Sequence, residues 1–190
     1  MSGNDLPSVY WDSCVFLSWI MEEDVPNRSG LNSMVDLIDR GEVELYVSTL
    51  VRVEVLTADL DAETRWKYEG FLRRPNVHSV DVNIPVADQA RSLREYYRAN
   101  EPELFGKLQL GTADSIHLAT ALLYDVQEFH TYEKRGKRRD KDSIEGSPKT
   151  IPLSRLSGEV AGYALRICPP APQQLMIGSD RRPNEPEEPS

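Results

Sequence analysis

The sequence predicts a three-layer α/β/α domain built on a central, mostly parallel sheet. Three observations predict it. Short runs rich in β-branched and aromatic residues, at 9–11, 44–48, 77–81 and 128–132, read as strands. Between them lie segments whose apolar residues recur at helical spacing. Alternating strands and helices build crossover units, and these favour a parallel sheet covered on both faces. At 190 residues the chain is long enough for one well-buried core and too short for two comfortable domains.

Residues 1–7 are a loose start, expected to be flexible, and the domain is expected to span residues 8–175. The strand at 9–11 runs straight into Asp12 and Ser13, and residues 14–21 are apolar and helix-like. Asp12 therefore stands at a strand-to-helix junction, where an aspartate commonly caps a helix. Pro26 and Gly30 mark a turn over 24–29, after which Leu31, Met34, Val35 and Ile38 describe a helix to Arg40, stopped at Gly41. After the strand at 44–48, Ser48 and Thr49 are expected to cap a helix over 50–60 that carries Glu54. Asp61 and Thr64 begin another helix, which ends near Arg73, before Pro75.

The strand at 77–81 leads to Pro85, in the first turn of an amphipathic helix over 86–100. A loop over 101–110 reaches the helix at 112–124, with Thr112 as its expected N-cap. Asp114 lies in that helix's first turn, where the helix dipole favours an acid by about 0.3–1 kcal/mol. The strand at 128–132 ends at Glu133. A last short strand at 165–170 belongs at an edge, because Pro169 and Pro170 cannot donate to a ladder. Residues 176–190 read as a disordered tail; from Gly178 onward there are four acids, three prolines and almost nothing apolar.

Several function classes are excluded or weakened. No apolar run approaches the roughly 20 residues of a membrane span, and the N-terminus lacks a signal-peptide pattern. Cys14 and Cys168 make neither a disulfide framework nor a zinc ligand set. A cytoplasmic protein is the expectation. The net charge of -9 argues against a plain nucleic-acid coat. Charge is uneven, however: Glu133 to Asp142 holds six basic and three acidic residues, a local +3 that leaves -12 elsewhere. This run is either a solvated loop or a phosphate grip. No Gly-x-Gly-x-x-Gly, Walker loop or Gly-x-Ser-x-Gly elbow occurs. Cys14, two residues after Asp12, stands where an aspartyl-phosphate phosphatase needs a second acid. His78 and His130 fall in strands and His117 in a helix, and all three read as structural.

In parallel sheets ligands bind beyond the carboxyl ends of the strands. Four acids fall at such places: Asp12, Glu54, Asp114 and Glu133. Clustered carboxylates repel one another and raise each other's pKa unless a positive charge neutralises them. A hard divalent cation such as Mg²⁺ does so with oxygen ligands, and it can activate water against a phosphodiester.

Four segments carry a family resemblance. They are Val9-Tyr10-Trp11-Asp12-Ser13, Val47-Ser48-Thr49-Leu50-Val51-Arg52-Val53-Glu54-Val55, Asp114-Ser115-Ile116-His117-Leu118-Ala119-Thr120-Ala121 and His130-Thr131-Tyr132-Glu133-Lys134. In this order they resemble PIN domains, and among these the VapC-type toxin ribonucleases of bacterial toxin–antitoxin pairs. The resemblance implies a five-stranded parallel sheet between helices and a metal-dependent endoribonuclease. It implies that Asp12, Glu54, Asp114 and Glu133 hold one or two Mg²⁺ or Mn²⁺ ions, with the Ser13 hydroxyl beside them. It also implies a homodimer and a protein antitoxin whose C-terminal segment occupies the active-site groove. Glu133 is one methylene longer than the aspartate more common there, and Cys14 replaces a small polar residue. Lys134, Arg135, Lys137, Arg138 and Arg139 would then grip RNA phosphates. A PIN-like scaffold without metal, and a metal-dependent DNA nuclease, are the alternatives.

Overall fold

The computed structural model describes residues 6–100, 109–132 and 150–172. The first half runs β1 (Ser8–Trp11), α1 (Ser13–Ile20), α2 (Arg28–Asp39), β2 (Glu44–Ser48), α3 (Leu50–Leu56), α4 (Ala62–Leu72) and β3 (Val77–Val80). The second half runs α5 (Ile84–Asn100), α6 (Thr112–Leu123), β4 (Glu128–His130) and β5 (Arg166–Cys168). The strands form one five-stranded sheet in the order β3-β2-β1-β4-β5. Every described pairing is parallel, so the sheet is more regular than the expected mostly parallel one. β5 takes an edge, as expected, and it stops at Cys168, before Pro169 and Pro170.

Side-chain alternation along β1 makes the three layers. Val9 and Trp11 enter a core shared with α1 to α4, whereas Tyr10 enters one shared with α5 and α6. β2 repeats the pattern, with Leu45 and Val47 on the first face and Tyr46 on the second. The first core is aromatic. Trp11 stacks on Phe71 at 5.8 Å between ring centroids, and Phe16 meets Trp11 edge-on at 5.2 Å and Tyr68 at 5.5 Å. On the other face Tyr10 stacks on Phe129 at 5.0 Å. Among the described residues no helix is long and apolar enough to cross a membrane.

Several boundaries differ from the sequence expectation, each for a local reason. α2 begins at Arg28, because Asn27 takes a left-handed φ of 60° and its amide donates to the Pro170 carbonyl at 3.0 Å. α3 stops at Leu56, where the Thr57 hydroxyl turns back to the Glu54 carbonyl at 2.9 Å. At its start Ser48, not Thr49, supplies the capping oxygen, to the Leu50 N–H at 3.2 Å. Thr112 is not the cap of α6 but its first residue: Gly111 occupies the cap position without a side-chain bond. Residues 1–5 of the expected flexible start, most of the 101–110 loop, the domain's last residues 173–175 and the expected tail 176–190 lie outside the described residues.

Because β1 lies between β2 and β4, crossovers leave it in both directions, and a crevice opens at its carboxyl end. The Phe16 ring packs against Trp11, Tyr68 and Phe71. Phe16→Ala should therefore lower the unfolding free energy by about 3–5 kcal/mol in urea titrations. A loss below about 1 kcal/mol would contradict this core.

Candidate metal centre

Asp12 leaves β1 directly into α1 and is 6% exposed. Its Oδ1 accepts the N–H groups of Cys14 and Val15 at 3.0 and 3.3 Å, so it does cap α1. The same oxygen accepts the Cys14 thiol at 2.8 Å. That thiol is held in turn by the Tyr132 N–H at 3.0 Å, and burial followed by the Asp12 charge keeps it protonated. Burial pushes the Asp12 pKa above the usual carboxylate range, against the bonds from Cys14 and Thr131.

Glu54 follows β2, in the second turn of α3, and is half-buried. Burial would raise its pKa, but hydrogen bonds from His117 and the Ser13 side chain outweigh that and hold it low. Asp114 sits in the first turn of α6. Burial raises its pKa; His117 opposes the rise, and the Asp12 and Glu54 carboxylates add to it. Gly111 makes room for it, since a Cβ there would collide with Asp114 Oδ2.

Three of the four expected acids therefore converge at the carboxyl end of β1, with Ser13 bonded to one of them. Glu133 lies outside the described residues, as do Lys134, Arg135, Lys137, Arg138 and Arg139. Among the described residues no lysine or arginine acts on Asp114. Such an oxygen set without a lysine or arginine against it suits a hard divalent ion.

One residue at this site is not visible as functional in the sequence. His117 reads there as structural, yet it ties the far side of the site to the sheet. The Ser48 N–H donates to the Tyr10 hydroxyl at 3.0 Å, and that hydroxyl lies 2.7 Å from His117 Nδ1. Burial keeps Tyr10 protonated, and with the Ser48 N–H already on its oxygen, the arrangement that uses its own O–H has it donate to Nδ1. The imidazole proton is thereby assigned to Nε2, which donates to Glu54 Oε2 at 2.9 Å. The available signal is the Asp114–His117 spacing of three, which puts both on one flank of α6.

A second group is Glu128, His130 and Cys168, whose ligand atoms lie within 4.8 Å of one another. No such cluster is apparent in the sequence, because β4 and β5 bring it together. It is a poor metal centre. Trp11 Nε1–H donates to His130 Nδ1 at 3.0 Å, leaving the proton on Nε2, which donates to Glu128 Oε2 at 2.9 Å. Arg166 already pairs with Glu128 Oε1 at 3.1 Å. An ion on Nε2 would displace a proton that Trp11 prevents Nδ1 from taking.

The family model of the PIN domain matches residues 9–142, more than half of the chain. Among solved structures, VapBC2 from Rickettsia felis, bound to a DNA fragment from its promoter, matches with a TM-score of 0.50 and 14% identity. That match covers 65% of this chain and 86% of the other. FitAcB from Neisseria gonorrhoeae matches with a TM-score of 0.46 and 16% identity, over 65% of this chain and 86% of that one. A toxin–antitoxin complex from Klebsiella pneumoniae matches with a TM-score of 0.44 and 15% identity, over 75% and 99%. No curated protein matches the chain. Likeness at these identities speaks for the fold alone.

The raised pKa values of Asp12 and Asp114 fix a sign. Folding favours their protonated forms, so their contribution to stability is full below the ordinary aspartate pKa of about 3.9 and is lost as pH rises through the raised values. In EDTA, Asp114→Asn should stabilise the protein at pH 7, by on the order of 1 kcal/mol, and less at pH 4. Mn²⁺ should raise the melting temperature of the unsubstituted protein at pH 7 and leave the variant nearly unmoved. Equal responses of the two proteins to pH and to Mn²⁺ would dissolve the centre.

Proposed function

The chain belongs to the PIN domain family, and from that premise we propose that it is a Mg²⁺- or Mn²⁺-dependent endoribonuclease, the toxin of a type II toxin–antitoxin pair. The observation that carries the nuclease reading is the convergence of Asp12, Glu54 and Asp114, with no neutralising lysine or arginine among the described residues. The toxin reading is supported by likeness to VapBC2. It brings with it a protein antitoxin, a homodimer and a cytoplasmic location.

In this reading Asp12, Glu54 and Asp114 hold the ion. Such an ion supplies positive charge that acidifies a water and offsets charge developing on a phosphodiester during in-line displacement. The chain's own contribution is orientation. Asp12 is held by the cap of α1, so its carboxylate cannot turn without cost to the helix. Glu54 is aimed by His117 and steadied by Ser13. Ser13 thus acts through Glu54 rather than on the ion. Glu133, three residues beyond β4 in the sequence, is proposed to complete the acid set. Lys134, Arg135, Lys137, Arg138 and Arg139 are proposed to hold RNA phosphates beside it.

Purified protein should cleave single-stranded RNA with Mn²⁺, and faster than single-stranded DNA of the same sequence. Asp12→Asn and Asp114→Asn should each reduce the rate at least ~100-fold, the scale on which losing one charge-stabilising group acts. Cleavage of equal strength in EDTA would refute the proposal, and a preference for DNA would refute its RNA part. Growth arrest on expression, absent in Asp114→Asn, tests the toxin part.

His117→Ala should leave the folded state intact by circular dichroism and raise the Mn²⁺ concentration for half-maximal cleavage about 10-fold, as loss of a ligand's hydrogen-bond partner does. His117→Gln, which can still donate to Glu54, should recover part of that loss. Unchanged Mn²⁺ dependence in both variants would remove His117 from the site.

A further inference from the structure

We propose that the groove between α5 and the first turns of α6 is the track that holds the single RNA strand delivered to the acids. The proposal rests on the nuclease reading for the identity of the strand. The groove itself is a separate observation. It is a cavity of about 340 Å³, and Arg91, Arg94 and Arg98 line it from α5. Their spacing of three and four puts all three on one helix face. All are exposed, on a chain whose net charge is -9.

The guanidinium groups are placed for phosphate. Arg94 donates through Nε to the Leu110 carbonyl at 3.2 Å, which pins its plane with one of five N–H donors. A guanidinium held in plane matches two phosphate oxygens at once. Arg91 is clamped by Glu95, at 2.9 and 3.0 Å, and an exposed pair of this kind is weak enough to exchange for phosphate. Ala87 and Ala90 also line the groove, and their small side chains let a backbone approach α5 closely. Gln109 and Thr112 add polar groups on the opposite wall.

Continuity with the acids runs through α6. Thr112 and Ser115 line the groove, and Asp114 lies between them. At 3.6 residues per turn Asp114 projects from nearly the opposite flank, so the groove and the acids are separated by one helix width, roughly 10 Å. A strand lying in the groove reaches the acids by crossing the start of α6 at Gly111. A cavity of about 340 Å³ has room for part of one strand and not for a duplex.

The test uses the full chain in EDTA and a fluorescein-labelled single-stranded oligoribonucleotide, read by anisotropy over a salt series. The unsubstituted protein should bind. Arg94→Ala with Arg98→Ala should weaken binding about 10-fold and flatten the log–log salt slope by roughly 1.4, about 0.7 for each phosphate no longer neutralised. Glu95→Gln frees Arg91 and removes a negative charge, so it should tighten binding, a gain that misfolding cannot imitate. With Mn²⁺, the double variant should raise KM and keep kcat within about twofold of the unsubstituted protein. Absence of binding in EDTA, an unchanged double variant, or weaker binding by Glu95→Gln would overturn the proposal. So would a change in sedimentation of the arginine variants without loss of binding, which would make the groove an interface between two copies. If the protein cleaves nothing yet the arginine variants lose binding, the groove stands and the nuclease reading falls. If it cleaves and those variants bind as before, the reverse holds.

Discussion

The carboxylate of Asp12 has two roles that pull against each other. As the cap of α1 it must accept two backbone N–H groups, which favours its charge and its burial beside the helix end. As part of an acid cluster it is buried, which disfavours that charge, and its own charge in turn disfavours that of Asp114. Burial wins in the metal-free protein, and the pKa rises. The conflict persists because β1 leaves the chain no other exit: it is the central strand, and α1 must start where it ends. A cation at that point removes the conflict without moving an atom of the cap.

Two neighbouring residues of β1 show how the sheet separates a site from a support. Tyr10 points to one face and donates to His117, which donates to Glu54. Trp11 points to the other face and donates to His130, which donates to Glu128. The two chains have the same order, an aromatic donor, a histidine and a glutamate, yet they end differently. The Glu128 side chain is 4% exposed and already paired with Arg166, so its charge is cancelled and the group locks β5 to the sheet. The Glu54 side chain is 28% exposed, has no arginine partner among the described residues, and lies with two more acids. By ligand spacing alone the Glu128 group is the tighter of the two, its atoms lying within 4.8 Å of one another. The location of the counter-charge distinguishes them.

Much of this is legible in the sequence because it depends on local pattern. Strand and helix order, the edge position of β5 and the Asp61 cap of α4 follow from periodicity, proline and a single side chain. Asp12, Glu54 and Asp114 are legible as candidates from the rule that parallel sheets present ligands at their carboxyl ends. What is not legible depends on distant partners. His117 has its role only because Tyr10, 107 positions away, supplies a proton to Nδ1. The cap of α6 differs from expectation for a related reason. Thr112 is the better capping residue by propensity, but Gly111 holds the position, where a Cβ would strike Asp114. Side-chain propensity yields there to the space the carboxylate needs.

The separation of positive and negative charge across α6 follows from the same logic. An acid cluster that is to hold a cation must exclude arginine, because a guanidinium at ~4 Å would lower the carboxylate pKa values and occupy the charge the ion needs. A site that is to hold a polyanion must include arginine, because three acids repel phosphate. One way to meet both requirements is to keep the two sets close in space and shielded from each other. The first turn of α6 supplies that shield, with Asp114 on one flank and Thr112 and Ser115 facing Arg91, Arg94 and Arg98 on the other. Their separation of about one helix width is comparable to the Debye length of about 8 Å at physiological salt. Exposed arginines at that range act weakly on the acids, and they act fully on a strand that touches them. A chain at net charge -9 can in this way present a local basic track without giving up the acidic pocket beside it.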